Sequence, residues 1–278
     1  MSVCEPTTYR LGEWDCTGVT DGEMPLPVRN FYHNADEAEL RAALAIQGIA
    51  GESVPTPFNP LLLRRGDEVV LIDAGFGAWA STPTGRLAES LAAVGVAPDD
   101  VTVLLLTHGH ADHAGGAVTE SGALAFPNAR VLLSRAEVEF WKSAEAEALA
   151  GRRAGPARRV AAALEDVSED IRPGDEPVPG VQILAAPGHT PHSTAVRIVS
   201  EGLSLIYVAD AVAQPLHLVR PDWNLEPDLN PEDAAHTRQM LIDAAVRDGS
   251  LMYCYHFALP GLGWVDRAET GYRWRPAC

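Results

Sequence analysis

The stretch Leu104–Gly116 reads LLLTHGHADHAGG and holds three histidines and one aspartate within six positions. An apolar run typical of a buried strand is followed at once by four potential metal ligands, which are His108, His110, Asp112 and His113. Imidazole and carboxylate groups bind divalent metals, and Gly109 gives the loop freedom to turn several of them inward. One ion could not use all four groups and keep an open position for catalysis, so the stretch predicts a two-metal site.

Three further polar residues stand where apolar runs end. His189 follows a predicted strand in AAPGHT, Asp210 ends SLIYVAD, and His256 ends LMYCYHF. Sheets of the α/β class place their ligand sites at the ends of strands. Each residue alone is also consistent with a capping or hydrogen-bonded role. Together the three complete the ligands that a two-metal site needs.

The order of apolar segments predicts an α/β layered fold, because strands and helices alternate along the chain. One or two short strands are expected within 9–32. Further strands are predicted over 61–75 (a hairpin), 101–106, 130–134, 181–186, 195–199 and 204–208, and helices over 36–47, 86–94, from 136 onward, and over 231–247 with Asn230 as N-cap. The apolar hairpins at 61–75 and 195–211 resemble each other, which favours two similar halves packed face to face.

The composition is that of a globular protein with a large core, since 46% of the 278 residues are hydrophobic and no linker divides them. We expect one domain over 1–278, with 1–60 as an N-terminal extension of short strands and a helix packed on it, and 143–170 as a helical cap. The net charge of -17 disfavours a nucleic-acid partner, which requires basic patches. Without a signal-peptide pattern or a long apolar run, we expect no membrane partner and a cytoplasmic location.

The remaining thiols and imidazoles are interpreted as structural. The cysteines are widely separated and form no C-x-x-C pair, which predicts reduced thiols; they are Cys4, Cys16, Cys254 and Cys278. Cys254 is interpreted as a small buried thiol rather than a ligand. His192 is interpreted as a surface side chain, with a donor beside the site as the alternative. No role is assigned to His33, His217 and His236, which lack a ligand-spaced partner.

The motifs T-H-x-H-x-D-H-x-G-G, P-G-H-T, A-D and a late His resemble, in that order, the metallo-β-lactamase fold of binuclear metallohydrolases. The resemblance runs from about Val69 to Val265 and implies a four-layer αββα sandwich. It implies that the first metal is bound by His108, His110 and His189, the second by Asp112, His113 and His256, and both by Asp210. Asp73, in VVLIDAG, would brace the histidine loop. Two divalent ions per chain are implied, with zinc expected and manganese, iron and cobalt as alternatives.

The segments AVAQPLHLVRPDWN, NPEDAAHTRQML and YHFALPGLGWV resemble the methyl parathion hydrolase-like group of this fold, which includes phosphotriesterases, arylesterases and lactonases. This resemblance implies a metal-dependent hydrolase in which a metal-bridging hydroxide attacks a small, neutral, fairly apolar ester. Lactone, aryl ester and phosphotriester stay open as substrates, and Asp112 and Asp210 would be catalytic.

Other activities on the same scaffold also stay open. They are a glyoxalase II-like thioester hydrolase, a β-lactam hydrolase and an iron-dependent redox enzyme resembling persulfide dioxygenases, since histidine and carboxylate accept iron as readily as zinc. A homodimer is a further open alternative. The residues expected to line the substrate pocket, with core packing as the equal alternative, are Phe76, Trp79, Trp223, Phe257, Leu259 and Trp264.

Overall fold

Strands and helices alternate along residues 8–81 and 83–277, which are the residues that the computed structural model describes. The strands are β1 (Thr8–Leu11), β2 (Trp14–Gly18), β3 (Gly22–Pro27), β4 (Ser53–Phe58), β5 (Leu61–Arg65), β6 (Glu68–Ile72), β7 (Val103–Leu105), β8 (Arg130–Leu132), β9 (Ser168–Glu169), β10 (Val181–Ala185), β11 (Thr194–Ser200), β12 (Leu203–Tyr207), β13 (Leu251–Tyr253), β14 (Leu262–Arg267) and β15 (Tyr272–Pro276). The α-helices are α1 (Glu37–Ile46), α2 (Leu87–Ala93), α3 (Ala111–Ala114), α4 (Arg135–Lys142), α5 (Ala144–Ala150), α6 (Ala154–Leu164), α7 (Leu216–Val219) and α8 (Pro231–Asp248).

Two sheets form the centre of the molecule. The seven-stranded sheet has the order β1-β2-β5-β6-β7-β8-β9, and the six-stranded sheet runs in sequence from β10 to β15. β6 to β9 pair in parallel, as do β12 and β13, while the other pairs within the two sheets are antiparallel. β3 and β4 form a separate hairpin. The N-terminal residues therefore supply the two outermost strands at one side of the larger sheet as well as this hairpin.

Alternation along the strands separates two apolar faces on each sheet. In the larger sheet, Leu71 and Leu104 pack with Leu91 of α2 and Trp141 of α4. Their neighbours Ile72 and Leu105 face the other sheet and share a core with residues of β11 and β12. The buried leucines each stabilise the fold by about 1.5–3 kcal/mol relative to exposure.

The second sheet repeats this arrangement on its own outer face. Ile206 and Met252 pack against Leu241 and Ile242 of α8. Asn230 caps α8 as the sequence predicts, since its side chain accepts from the Asp233 N–H at 3.2 Å. Helices thus cover both outer faces of two stacked sheets, which confirms the expected four-layer αββα sandwich.

The helices of segment 143–170 and helix α1 pack in different parts of the molecule. Within the segment 143–170, α5 and α6 pack on α4, whereas α1 packs in a smaller core beside the β3–β4 hairpin.

Cys16 and Cys254 are buried free thiols, and Cys4 and Cys278 lie outside the described residues. Among the helices that the structure describes, none combines the length and the apolar character needed to span a bilayer.

Candidate metal centre

The seven predicted ligands meet at one edge of the two sheets. They leave β7, β10, β12 and β13 at the carboxyl ends of those strands, where α/β sheets gather their sites. His256 lies three residues beyond the end of β13 rather than at its end. The side chains form two groups in which the ligand atoms lie within 4.8 Å of one another, namely His108, His110, His189 and Asp210, and Asp112, His113, Asp210 and His256.

The first group is compact. The Nδ1 atom of His110 lies 3.1 Å from Nε2 of His108 and 2.9 Å from Nε2 of His189. The same His189 nitrogen lies 3.0 Å from Oδ2 of Asp210. Three imidazole nitrogens and one carboxylate oxygen therefore face a common centre.

The second group uses the other oxygen of Asp210. Oδ1 of that carboxylate lies 2.9 Å from Nε2 of His113 and 3.2 Å from Nε2 of His256. Oδ2 of Asp112 stands farther off, at 3.6 and 3.8 Å from the same two nitrogens. Asp210 is thus placed between the two groups, with one oxygen in each.

These donors fit two divalent metal ions. Two ligand atoms bonded to a tetrahedral zinc at ~2.0–2.1 Å lie roughly 3.4 Å apart, which is close to the nitrogen separations around His110. Among the described residues, His113 Nε2 and Asp210 Oδ1 are buried with no hydrogen-bond partner, although they lie 2.9 Å apart. A cation bound by both atoms would satisfy both.

The electrostatics of the site favour bound cations. Burial by itself lowers the pKa of His189, but the Asp210 and Asp228 carboxylates together outweigh it and raise that pKa to about 10. At His113, burial is likewise outweighed by Asp210 and Asp112, and the pKa lies well above its usual range. Burial and neighbouring imidazoles instead hold the pKa of His108 well below its usual range, which keeps it in the neutral form that binds metals.

The second ring nitrogen of most of these histidines is held by another group. His108 Nδ1 lies 3.1 Å from the Thr107 hydroxyl, which itself donates to Asp73. The remaining contacts are His113 Nδ1 to Asp73 at 2.8 Å, His189 Nδ1 to Asp228 at 2.8 Å, and His256 Nδ1 to the Pro57 carbonyl at 2.9 Å. Each contact leaves Nε2 free to face the centre and fixes the orientation of its ring.

Close backbone approach explains the paired glycines of the first motif. A Cβ on Gly116 would lie 1.9 Å from the carbonyl oxygen of Ala74, in the loop that follows Asp73. Gly116 N–H also donates to the carbonyl of Gly75 at 2.8 Å. Only glycine lets the histidine loop pack this closely on the loop that carries Asp73.

Asp228 is a supporting residue that the sequence analysis missed. Its side chain is buried, Oδ1 accepts from His189 Nδ1, and Oδ2 accepts from the Leu225 N–H at 3.0 Å. The fully buried Arg238 of α8 lies 3.6 Å from Oδ2 and donates to three backbone carbonyls around it. The EPDLNP turn before α8 marks Asp228 as a turn carboxylate, but no sequence spacing links it to His189, 39 positions away.

We expect Asp228→Asn to weaken zinc binding by about 10–100-fold. Whichever way the amide is turned, its NH2 group meets a donor, either Nδ1–H of His189 or the N–H of Leu225. Titration of the metal-free protein against a chromophoric chelator measures the change. Asp222→Asn is the matched control, because Asp222 lies in the same loop but is exposed and pairs with Arg220. Wild-type affinity in Asp228→Asn, or equal losses in both variants, would contradict the expectation.

A cavity of about 290 Å³ opens directly onto the two groups. His110, Asp112, His189, Asp210 and His256 form its floor. The walls are mostly apolar and come from Met24, Leu26, Phe31, Phe58, Phe76 and Leu225, with Asn30, Thr56, Ala111, Arg153, Pro156 and Pro227 completing the lining. The N-terminal residues thus contribute a wall of the cavity.

Of the six residues expected to line the substrate pocket, the structure places Phe76 on this cavity and the others elsewhere. Trp79 packs on the core under the outer helices, Trp223 is buried beside α1, and Trp264 contacts Tyr9. Phe257 and Leu259 line a separate groove on the other side of His256. Proximity in sequence to the metal-bearing loops does not determine on which side of a loop a side chain points.

The other histidines and Cys254 lie outside the two groups. His192 is exposed, as are His33 and His236. His217 is buried and bonded to backbone groups, with Nε2 2.8 Å from the Phe31 carbonyl. Cys254 packs in the core beneath α8, where burial raises the pKa of its thiol well above its usual range.

The comparison with family models decides the affiliation. The model of the metallo-beta-lactamase superfamily matches residues 55–256, a range that contains all seven ligands. The chain belongs to the metallo-beta-lactamase superfamily. The narrower likeness to the methyl parathion hydrolase-like group stays a prediction.

Several known proteins are similar to the chain. An N-acyl homoserine lactonase of a Bacillus species is 36% identical over 171 residues, which span 54% of the chain and 62% of that protein. Among solved structures, AidC, a dizinc quorum-quenching lactonase in complex with a product, has a TM-score of 0.92 at 26% identity and covers 100% of this chain and 99% of that one. The hydrolase AbOPH of the beta lactamase superfamily has a TM-score of 0.91 at 25% identity, with coverage of 100% and 99%.

Proposed function

We propose that the chain is a two-metal hydrolase that opens neutral, apolar lactones, with N-acyl homoserine lactones as the substrate class. The observation that carries this proposal is the position of the two ligand groups at the floor of an apolar cavity. The names of the similar lactonases support the same substrate class. The described residues would act as one metallo-β-lactamase-like domain, with 143–170 as a helical cap beside the cavity.

The charge of the cavity lining favours a neutral substrate. Outside the ligand groups, Arg153 is the charged residue of the lining, and its guanidinium pairs with Glu226. The net charge of -17 repels anionic substrates at long range. The walls of Met24, Leu26 and Phe31 suit an acyl chain, because apolar surface removed from water contributes roughly 25 cal/mol per Å².

Asp210 and Asp112 would divide the work at the reacting bond. Bound divalent ions supply a water activated near neutral pH and polarise the scissile carbonyl. Asp210 would fix the position of the two ligand groups relative to each other, because it has one oxygen in each group. The Asp112 carboxylate, whose side chain is more exposed than that of Asp210, would hold a metal with one oxygen. With its other oxygen it would accept the proton of the attacking water and return it to the alkoxide oxygen that leaves on ring opening.

A substrate panel with metal removal tests the proposed function. We expect N-hexanoyl homoserine lactone to be hydrolysed with a higher kcat/KM than phenyl acetate, an aryl phosphotriester, a β-lactam or a glutathione thioester. Chelation should abolish hydrolysis, and zinc or manganese should restore it. Readdition of calcium is the control, because calcium prefers all-oxygen sites. Chelator-resistant hydrolysis, or oxygen consumption with glutathione persulfide in place of hydrolysis, would contradict the proposal.

A further inference from the structure

Glu137 is a fully buried carboxylate on α4 for which the proposed mechanism has no use. Its Oε1 accepts from the backbone N–H of Gly109 at 3.0 Å and from the indole N–H of Trp141 at 2.6 Å. Its Oε2 accepts from the hydroxyl of Thr190 at 2.8 Å. Both carboxylate oxygens therefore accept hydrogen bonds, which is how a buried charge is tolerated.

These contacts join two loops that are distant in sequence. Gly109 stands between the ligands His108 and His110, and Thr190 directly follows the ligand His189. His110 and His189 are 79 positions apart, and their ligand nitrogens lie 2.9 Å from each other. Glu137 is thus hydrogen-bonded to both loops that supply histidines to the first group.

The packing around Glu137 leaves little room for another arrangement. A Cβ on Gly109 would lie 2.4 Å from the Trp141 indole, so this glycine is required for space. Thr190 is fixed in turn, because its hydroxyl lies 2.6 Å from that of Ser193. The histidine loops are therefore held against α4 by Glu137 and its bonded neighbours.

We propose that Glu137 is a positioning residue that sets the spacing of His108, His110 and His189 and thereby the affinity of the first metal group. The second group has supports of its own, since Asp73 holds His113 and the Pro57 carbonyl holds His256. Loss of the Glu137 contacts therefore weakens one of the two metal sites and spares the other. The inference rests on the two-metal site of the proposed function, but not on its substrate.

Three variants separate this role from a purely structural one. Glu137→Met keeps the volume but removes the acceptors, leaving the Gly109 and Trp141 N–H groups unpaired. Glu137→Gln keeps an oxygen for those two donors and turns its NH2 group toward the Thr190 hydroxyl, which can accept, so it should restore binding. Glu139→Met makes the same change at an exposed position of the same helix and is the matched control.

Zinc titration of the metal-free full-length variants by calorimetry tests the proposal, with circular dichroism as the check of folding. We expect Glu137→Met to bind one ion with wild-type affinity and the other about 10–100-fold more weakly. Glu137→Gln and Glu139→Met should bind both ions as wild type does. The proposal is overturned if folded Glu137→Met binds both ions normally, or if it weakens both equally. A wild-type protein that binds two ions but hydrolyses no ester would refute the proposed function and leave this inference standing.

Discussion

Asp210→Asn is expected to lower lactone hydrolysis by at least about 10³-fold and to reduce bound zinc from two ions per chain to one or fewer. Each oxygen of Asp210 faces a different ligand group, at 3.0 Å from His189 and 2.9 Å from His113. An amide has one acceptor oxygen and no charge, so its NH2 group must face one group of ligands. The rate estimate follows because metal-assisted stabilisation of the transition state is worth several kcal/mol and ~1.36 kcal/mol corresponds to tenfold in rate.

The measurement for Asp210→Asn combines steady-state kinetics with metal analysis of the same purified sample. Asp266→Asn is the control, because Asp266 is a partly exposed carboxylate on β14 that pairs with Arg275, and its removal should change neither quantity. Two tightly bound zinc ions in Asp210→Asn would refute the placement of this carboxylate between two metals. A loss of folding would show in circular dichroism and would not count in its favour.

Asp73→Asn is expected to lower the free energy of unfolding of the metal-free protein by about 3 kcal/mol. Asp73 is buried and accepts from the Thr107 N–H, the Thr107 hydroxyl, His113 Nδ1 and the Tyr207 hydroxyl, all within 3.1 Å. Its backbone has φ of 63°, which asparagine tolerates, so the substitution changes the hydrogen bonds without straining the chain.

The direction of the Asp73→Asn effect follows from the donors around the carboxylate. An NH2 group at Oδ1 leaves the Thr107 N–H without an acceptor. An NH2 group at Oδ2 forces His113 to accept at Nδ1 and carry its proton at Nε2, the atom that faces the second metal group. We therefore expect a weakened second metal site in addition to the loss of stability.

Urea unfolding of the metal-free protein measures the stability of Asp73→Asn. Asp67→Asn, in the exposed turn between β5 and β6, is the matched control and should stay within ±0.5 kcal/mol of wild type. Equal unfolding midpoints for Asp73→Asn and wild type, at equal slope, would contradict the bracing role of Asp73.

The fold and the ligand groups were largely predictable because they depend on local patterns. The apolar run before His108 is β7, the hairpin at 61–75 is β5 and β6, and α8 begins after Asn230. The polar ligand residues follow the ends of strands, and the topology of an α/β sandwich places those strand ends at one edge. The N-terminal region is less predictable, because its strands are short and irregular; the structure has three of them where the sequence predicts one or two.

The supporting residues and the cavity walls were not predictable, because they depend on side-chain direction in the folded chain. Glu137 and Glu139 are indistinguishable in sequence, yet one is fully buried and the other exposed. Trp223 is of a residue type that often lines apolar pockets, but it is buried beside α1. Leu26 and Phe31 instead reach the cavity from the N-terminal region. Contacts of this kind depend on packing between distant segments. The hydrophobic periodicity of the sequence gives no information about them.

Zinc titration of the metal-free chain, with bound zinc and lactone hydrolysis measured in the same samples, tests the two-metal hydrolase most directly. We predict saturation at two ions per chain and hydrolysis that reaches its maximum only after the second ion is bound. Saturation at one ion, or full hydrolysis at one equivalent of zinc, would contradict a centre in which Asp210 serves two metals.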